Sequence, residues 1–154
     1  MTVTAYSDSD FAGSADAKST TGFAVLLAGS PVVWRSAKQT TVALSTQEAE
    51  ISALVCCAKE VMATRNLLQE LGLPQDAITI YEDNSAAIAT CESADSRGRV
   101  RHLNVAQHFL FQHIKEKSIQ LQYCPSASNV ADIFTKPLQP SIFKALRSNL
   151  GIST

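Results

Sequence analysis

Two aspartates one residue apart, Asp8 and Asp10, close the stretch "TAYSDSDFAG", and two glutamates at the same spacing, Glu48 and Glu50, stand in "STQEAEISAL". Asp83 lies in "IYEDNSAAI" and Asp132 in "NVADIFTKPL". Each acid has an ordinary use, because Asp forms turns, caps helices and complements the helix dipole. Gathered at one place they would do something else. Two unpaired carboxylates ~4–5 Å apart repel by roughly 3–4 kcal/mol at an effective dielectric near 20. A cluster of four is therefore unfavourable unless it binds protons or cations. Hard oxygen ligands without Cys or His select Mg²⁺ or Mn²⁺ rather than zinc.

Positioning such a cluster falls to the secondary structure. "TVTAYSD" reads as a first strand ending at Asp8, and "GFAVLLAG" and "PVVWRS" as two more joined by a tight "AGSP" turn, which predicts an antiparallel meander. A long helix follows over "STQEAEISALVCCAKEVMATRNLLQELG". Ser45 and Glu48 make a capping box at its start, and Gly72 with Pro74 ends it. Ile51, Leu54, Val55, Ala58, Val61, Met62 and Leu68 recur on one face. "AITIYED" predicts a fourth strand running into a short helix, "NSAAIATCES". "RVRHLNVAQHFLFQHIKEK" predicts a further helix and "SIQLQYCP" a fifth strand. "NVADIFTKPL" and "PSIFKALRSNLG" predict closing helices.

The order β-β-β-α-β-α-α-β-α implies an α/β fold: a five-stranded mixed sheet, three antiparallel strands then parallel ones, with helices on both faces. Strands one, four and five should run parallel at the sheet centre. Ligands of open α/β sheets collect beyond the carboxyl ends of such strands. Asp8, Asp83 and Asp132 would then share one edge, with a glutamate brought in by the long helix.

The bulk properties leave this reading open. A chain of 154 residues is expected to be one domain, 1–154, with 45% apolar content. Net charge is −1, so any nucleic-acid partner must be met by a local patch, by metal ions or by shape rather than by general basicity. Cys56, Cys57, Cys91 and Cys124 lack zinc-like spacing and read as core thiols of a reducing compartment. The start has no signal-peptide profile, and "GFAVLLAGSPVVW" is too short and broken to span a bilayer, so a cytoplasmic protein is expected.

"YSDSDFAG", "TTVALSTQEAEISAL", "IYEDNSAAI", "RVRHLNVAQHF" and "NVADIFTKPL", in that order, resemble the ribonuclease H domain of copia/Ty1-type retrotransposon Pol polyproteins. The resemblance runs over 6–151, and "ADIFTKPL" is close to diagnostic. It also separates choices that spacing leaves open. Glu48 and Glu50 flank the apolar face symmetrically, and the family's metal-binding glutamate matches Glu50. The family's first aspartate matches Asp8, with Asp10 beside it in a turn, and Asp83 and Asp132 complete an Asp-Glu-Asp-Asp set.

That resemblance implies hydrolysis of the RNA strand of an RNA–DNA hybrid, leaving 5′-phosphate and 3′-hydroxyl ends. Two Mg²⁺ ions, with Mn²⁺ a possible substitute, would sit roughly 4 Å apart on the scissile phosphate. Asp8 would bridge both, Asp132 would help hold the water-activating ion, and Glu50 and Asp83 would hold the other. RNA would be required through its 2′-hydroxyls. Asn84, Arg99, Arg101 and His102 are candidate substrate contacts. Trp34 and Lys38 are further ones, against the usual burial of a meander tryptophan. His108 and His113 read as surface or packing residues.

One departure stands out: "YCPSASNVAD" lacks the histidine that many cellular ribonucleases H carry before the last aspartate. Few residues precede Tyr6, which suits an excised or processed piece or a short reading frame from a decayed or domesticated element. The implied partners are the hybrid and the reverse transcriptase domain of the parent polyprotein, with no membrane and a monomer assumed. Two alternatives share the fold: an inactive remnant acting as a hybrid-binding or structural module, and another polynucleotidyl transferase.

Overall fold

Alternation of polar and apolar residues makes Val3–Asp10 a strand, β1, with Val3, Ala5 and Ser7 turned to one face and Tyr6 and Asp8 to the other. The computed structural model describes residues 2–13, 15–93 and 105–152. β1 pairs antiparallel with β2 (Thr20–Leu27), which pairs antiparallel with β3 (Ser30–Lys38). On its other side β1 runs parallel to β4 (Ile78–Glu82), and β4 parallel to β5 (Ile119–Tyr123). The strand order is β3-β2-β1-β4-β5. The mixed five-stranded sheet is thus as expected, except that β5 lies at an edge and β1 holds the centre. β1 also extends two residues past Asp8, because Ser9 and Asp10 continue the ladder to Thr21 and Thr20.

Helix α1 (Thr46–Glu70) covers one face of the sheet, together with α2 (Ser85–Ser93) and α3 (Val105–Lys115). Leu54, Val61, Phe23, Val25 and Ile80 are fully or almost fully buried in that layer. The opposite face carries α4 (Pro140–Asn149), with Leu146 and Leu150 packed on Ala24 and Leu26. Helices on both faces are therefore observed.

The segment before α4 departs from expectation. "NVADIFTKPL" does not form an α-helix; it makes one 3₁₀ turn, Val130–Phe134, just after another at Ser126–Ser128. Pro137 gives the reason for the short run. A residue before proline is pushed out of helical geometry, so the turn stops after one cycle. Trp34, for which substrate contact and burial were both open, is 62% exposed on edge strand β3. The cysteines follow the expectation, since all four are free and Cys57, Cys91 and Cys124 are buried. Among the described residues no helix is long and apolar enough to cross a membrane.

Candidate metal centre

Parallel pairing of β1 with β4 brings Tyr6 level with Tyr81, and the two rings stack with centroids 4.8 Å apart. Two residues further along each strand stand Asp8 and Asp83, so this register sets the two carboxylates side by side. Glu50 reaches the same place from the first turns of α1. One oxygen from each of Asp8, Glu50 and Asp83 lies within 4.8 Å of the others. Asp8 is only 2% exposed and Glu50 is also buried.

The helix-capping duties that could have explained three of these acids are performed by neighbours. The Ser45 hydroxyl caps α1 by accepting from the Glu48 backbone N–H at 3.2 Å. Glu48 reaches back to the Leu44 N–H at 2.8 Å, one residue earlier than a standard capping box, and Glu50 is left over. At α2 the cap is Asn84, whose side-chain oxygen accepts from Ala87 N–H at 3.0 Å, and Asp83 is left over. Before the second 3₁₀ turn the cap is Asn129, accepting from Ala131 N–H at 3.1 Å, and Asp132 is left over. Asp10, at the end of β1, lies over Gly13, where a Cβ would meet its carboxylate.

Asp132 sits inside the turn rather than at a helix start, and it is not among the acids whose oxygens lie within 4.8 Å of one another. Lys136, one turn later, places its Nζ 3.0 Å from Asp132 Oδ1 and 3.7 Å from Asp8 Oδ2. The Thr135 hydroxyl donates to Asp8 Oδ2 as well. The turn approaches this closely because Gly22, opposite Asp8 in the ladder, has no side chain: a Cβ there would lie 2.5 Å from Thr135 Cγ2 and 3.0 Å from the Ala131 carbonyl oxygen.

Burial and mutual repulsion raise the affinity of this group for protons. Asp8 is pushed up to about 6, chiefly by loss of solvent and then by Asp132 and Asp83, against the opposing effects of the Thr135 hydroxyl and Lys136. Glu50 is pushed up to about 8 by burial and by Asp8. Among the described residues its buried Oε2 has no hydrogen-bond partner. An orphaned carboxylate oxygen beside two more carboxylates, with no Cys or His among them, fits a hard divalent cation. The residues present therefore suit Mg²⁺ or Mn²⁺.

Four participants escaped the sequence reading. Thr135 and Lys136 belong to the "TKPL" stretch, and Asn129 precedes it. The fourth is Glu82, completely buried beneath the cluster and pushed up to about 10 by burial and by Glu50 and Asp83. Its Oε2 also lacks a hydrogen-bond partner among the described residues. The alternation Ile78, Ile80, Glu82 was the available signal, since it puts Glu82 on the α1 face.

The candidate substrate contacts fare variously. Asn84 adjoins the site but spends its side-chain oxygen on the α2 cap, which leaves its amide N–H groups uncommitted to that cap. Arg99, Arg101 and His102 lie outside the described residues. Lys38 pairs with Asp16 at 3.3 Å. His113 packs edge-on to Phe109 and meets the Ser118 hydroxyl at 2.9 Å, while His108 is exposed.

No protein-family model matches the chain. Its sequence is 32% identical over 148 residues to the "Retrovirus-related Pol polyprotein from transposon TNT 1-94" of Nicotiana tabacum, covering 96% of this chain and 11% of that protein. It is 31% identical to the transposon RE1 Pol polyprotein of Arabidopsis thaliana, over 99% of this chain and again 11% of the relative. A Ty1 Gag-Pol polyprotein of Saccharomyces cerevisiae is 27% identical over 92% of the chain. The chain thus spans about a tenth of the length of the curated relatives it matches. Among solved structures, RNase H1 from the archaeon Halobacterium salinarum superposes with a TM-score of 0.54 at 16% identity, over 88% of this chain and 95% of that one. The RNase H domain of PFV superposes with a TM-score of 0.56 at 15% identity, over 96% and 90%. Sequence along almost the whole chain and fold together bear out the resemblance: this is a ribonuclease H fold homologous to part of the copia/Ty1-type retrotransposon Pol polyproteins.

Proposed function

We propose that this domain, 1–154, is a metal-dependent ribonuclease H that cuts the RNA strand of RNA–DNA hybrids during retrotransposon reverse transcription. The observation that carries the reading is the convergence of Asp8, Glu50 and Asp83 within 4.8 Å at the carboxyl ends of two parallel strands, with the helix caps beside Glu50 and Asp83 supplied by neighbours. Asp8, Glu50, Asp83 and Asp132 would hold two Mg²⁺ ions, with Mn²⁺ able to replace them. When bound, such ions activate water and steady the leaving oxygen of a phosphodiester.

The rest follows from the chain's own residues. Burial of Asp8 and Glu50 keeps bulk water off their oxygens and raises the proton affinity that cations must overcome. Thr135 and Lys136 orient Asp8 from the side opposite the glutamate-bearing helix, and Asn129 ties the Asp132 turn to β1. Activity should therefore rise with pH through the range where these carboxyls lose their protons. Partners in this reading are the hybrid and the reverse transcriptase of the parent polyprotein, with the domain itself monomeric and cytoplasmic.

The test incubates purified protein with a labelled RNA–DNA hybrid, with and without Mg²⁺, beside Asp83→Asn. RNA cutting by wild type alone, and only with the divalent ion, is expected. Hybrid binding without cutting under either Mg²⁺ or Mn²⁺ would mark a binding remnant. Cleavage of plain DNA duplex would mark a different polynucleotidyl transferase.

A further inference from the structure

The "TKPL" stretch is the part of the sequence that the four-acid reading leaves without a role, and among the described residues its lysine makes the closest cationic contact at the site. Lys136 Nζ stands between the two aspartates that a second divalent ion would have to bridge, 3.0 Å from Asp132 Oδ1 and 3.7 Å from Asp8 Oδ2. Asp132 meanwhile is absent from the group of acids whose oxygens already converge, which comprises Asp8, Glu50 and Asp83. The cluster is thus divided: three acids whose oxygens converge, and a fourth joined to Asp8 through the shared Lys136 ammonium.

Resting on the nuclease reading above, we propose that Lys136 is a positioning residue that acts as a resident counter-cation for the second metal position, so that the free protein takes one divalent ion at Asp8, Glu50 and Asp83 and admits another at Asp8 and Asp132 only when the ammonium moves aside. The geometry requires the exchange. Mg²⁺ binds carboxylate oxygen at about 2.0–2.1 Å, and an ammonium in contact with the same two carboxylates would be left facing it with like charge. The local structure also permits the exchange. Lys136 is half-buried, with its side chain 36% exposed, so its flexible stem can swing to solvent without opening the core. The Thr135 hydroxyl remains on Asp8 Oδ2 when it does, so that carboxylate keeps its orientation.

The experiment titrates the free protein with Mn²⁺ and follows the unbound ion by electron paramagnetic resonance. Wild type should take up one tight ion that Asp83→Asn abolishes. Lys136→Gln should bind a second ion about tenfold or more tightly than wild type does, as expected from removing a unit charge a few ångströms from a divalent ion. Lys136→Met should do the same if the Gln variant folds poorly, and Lys136→Arg, which keeps the charge, should behave as wild type. Two ions of equal affinity in wild type would overturn the proposal, as would one ion in wild type and unchanged binding in both uncharged variants. Either result leaves the nuclease reading standing. A wild type that binds no ion sensitive to Asp83→Asn would remove both.

Discussion

Asn129 Nδ2 donates a 2.8 Å hydrogen bond to the Ser7 carbonyl oxygen, joining the turn that carries Asp132 to the strand that carries Asp8. The amide is fully buried, and its oxygen simultaneously caps the 3₁₀ turn through Ala131 N–H. One side chain therefore sets the distance between two candidate metal ligands that lie far apart in the chain. Asn129→Ala should lower stability by about 1–3 kcal/mol, the cost of leaving a buried backbone acceptor unpaired. It should also reduce metal-dependent activity more than that loss of stability explains. Asn129→Asp keeps the cap but not the donor, and should retain the defect. Thermal melts beside hybrid-cleavage rates check both parts.

Gly22 is needed for space rather than for backbone freedom. Gly22→Ala would force its Cβ to within 2.5 Å of Thr135 Cγ2 and 3.0 Å of Ala131 O. Overpacking of this kind costs about 1–3 kcal/mol, and here the strain falls on the turn that steers Thr135 and Lys136. Pairing Gly22→Ala with Thr135→Ser, which removes the clashing methyl and keeps the hydroxyl, should restore part of the stability. The Ala131 and Phe134 contacts, both at 3.0 Å, set the limit of that rescue. A double variant no more stable than Gly22→Ala alone would contradict this account.

Glu82 predicts a pH signature of its own. Its folded-state pKa, about 10, lies above the ordinary 4.5, so the native state holds a proton that the unfolded chain has released. Stability from this group is complete below pH 4.5 and is lost progressively as pH rises toward 10. Glu82→Gln, a neutral isostere, should therefore raise the melting temperature relative to wild type, slightly at pH 5 and by several degrees at pH 9. The comparison is made by calorimetry in a chelator, so that bound cations do not mask it. An identical difference at both pH values would rule the effect out.

Stability and function should part company at Glu50. Its raised pKa follows from burial beside Asp8, so Glu50→Gln relieves repulsion in the metal-free protein and should raise its melting temperature at pH 8. The same change removes a ligand. Wild type should gain about 2.7 kcal/mol when Mg²⁺ reaches a hundred times its dissociation constant; Glu50→Gln should gain far less and should not cut hybrid. Melting curves with and without Mg²⁺ measure both halves.

Asp8, Glu50 and Asp83 were legible as acids at the ends of a strand, a helix and a strand, because period-two and period-3.6 patterns can be read locally. The roles of Ser45 and Glu48 as caps were readable too, since capping depends on residues a few positions apart, whereas the Asn84 cap was not read. Choosing Glu50 over Glu48, by contrast, needed the family resemblance, as both flank the apolar face of α1 equally.

What the sequence determined by itself is the inventory: five strands, the helices of α1 to α4 and a set of oxygen ligands suited to a hard cation. Local patterning carries that information because each element depends on neighbours within a turn or two. Tertiary structure alone decided the rest. It left Trp34 on an open edge, buried Glu82 beneath the acids and set Lys136 between Asp8 and Asp132. Those outcomes depend on the space left at Gly22 and on the register of β1 against β4, and a position's neighbours in sequence do not specify which distant atoms will surround it.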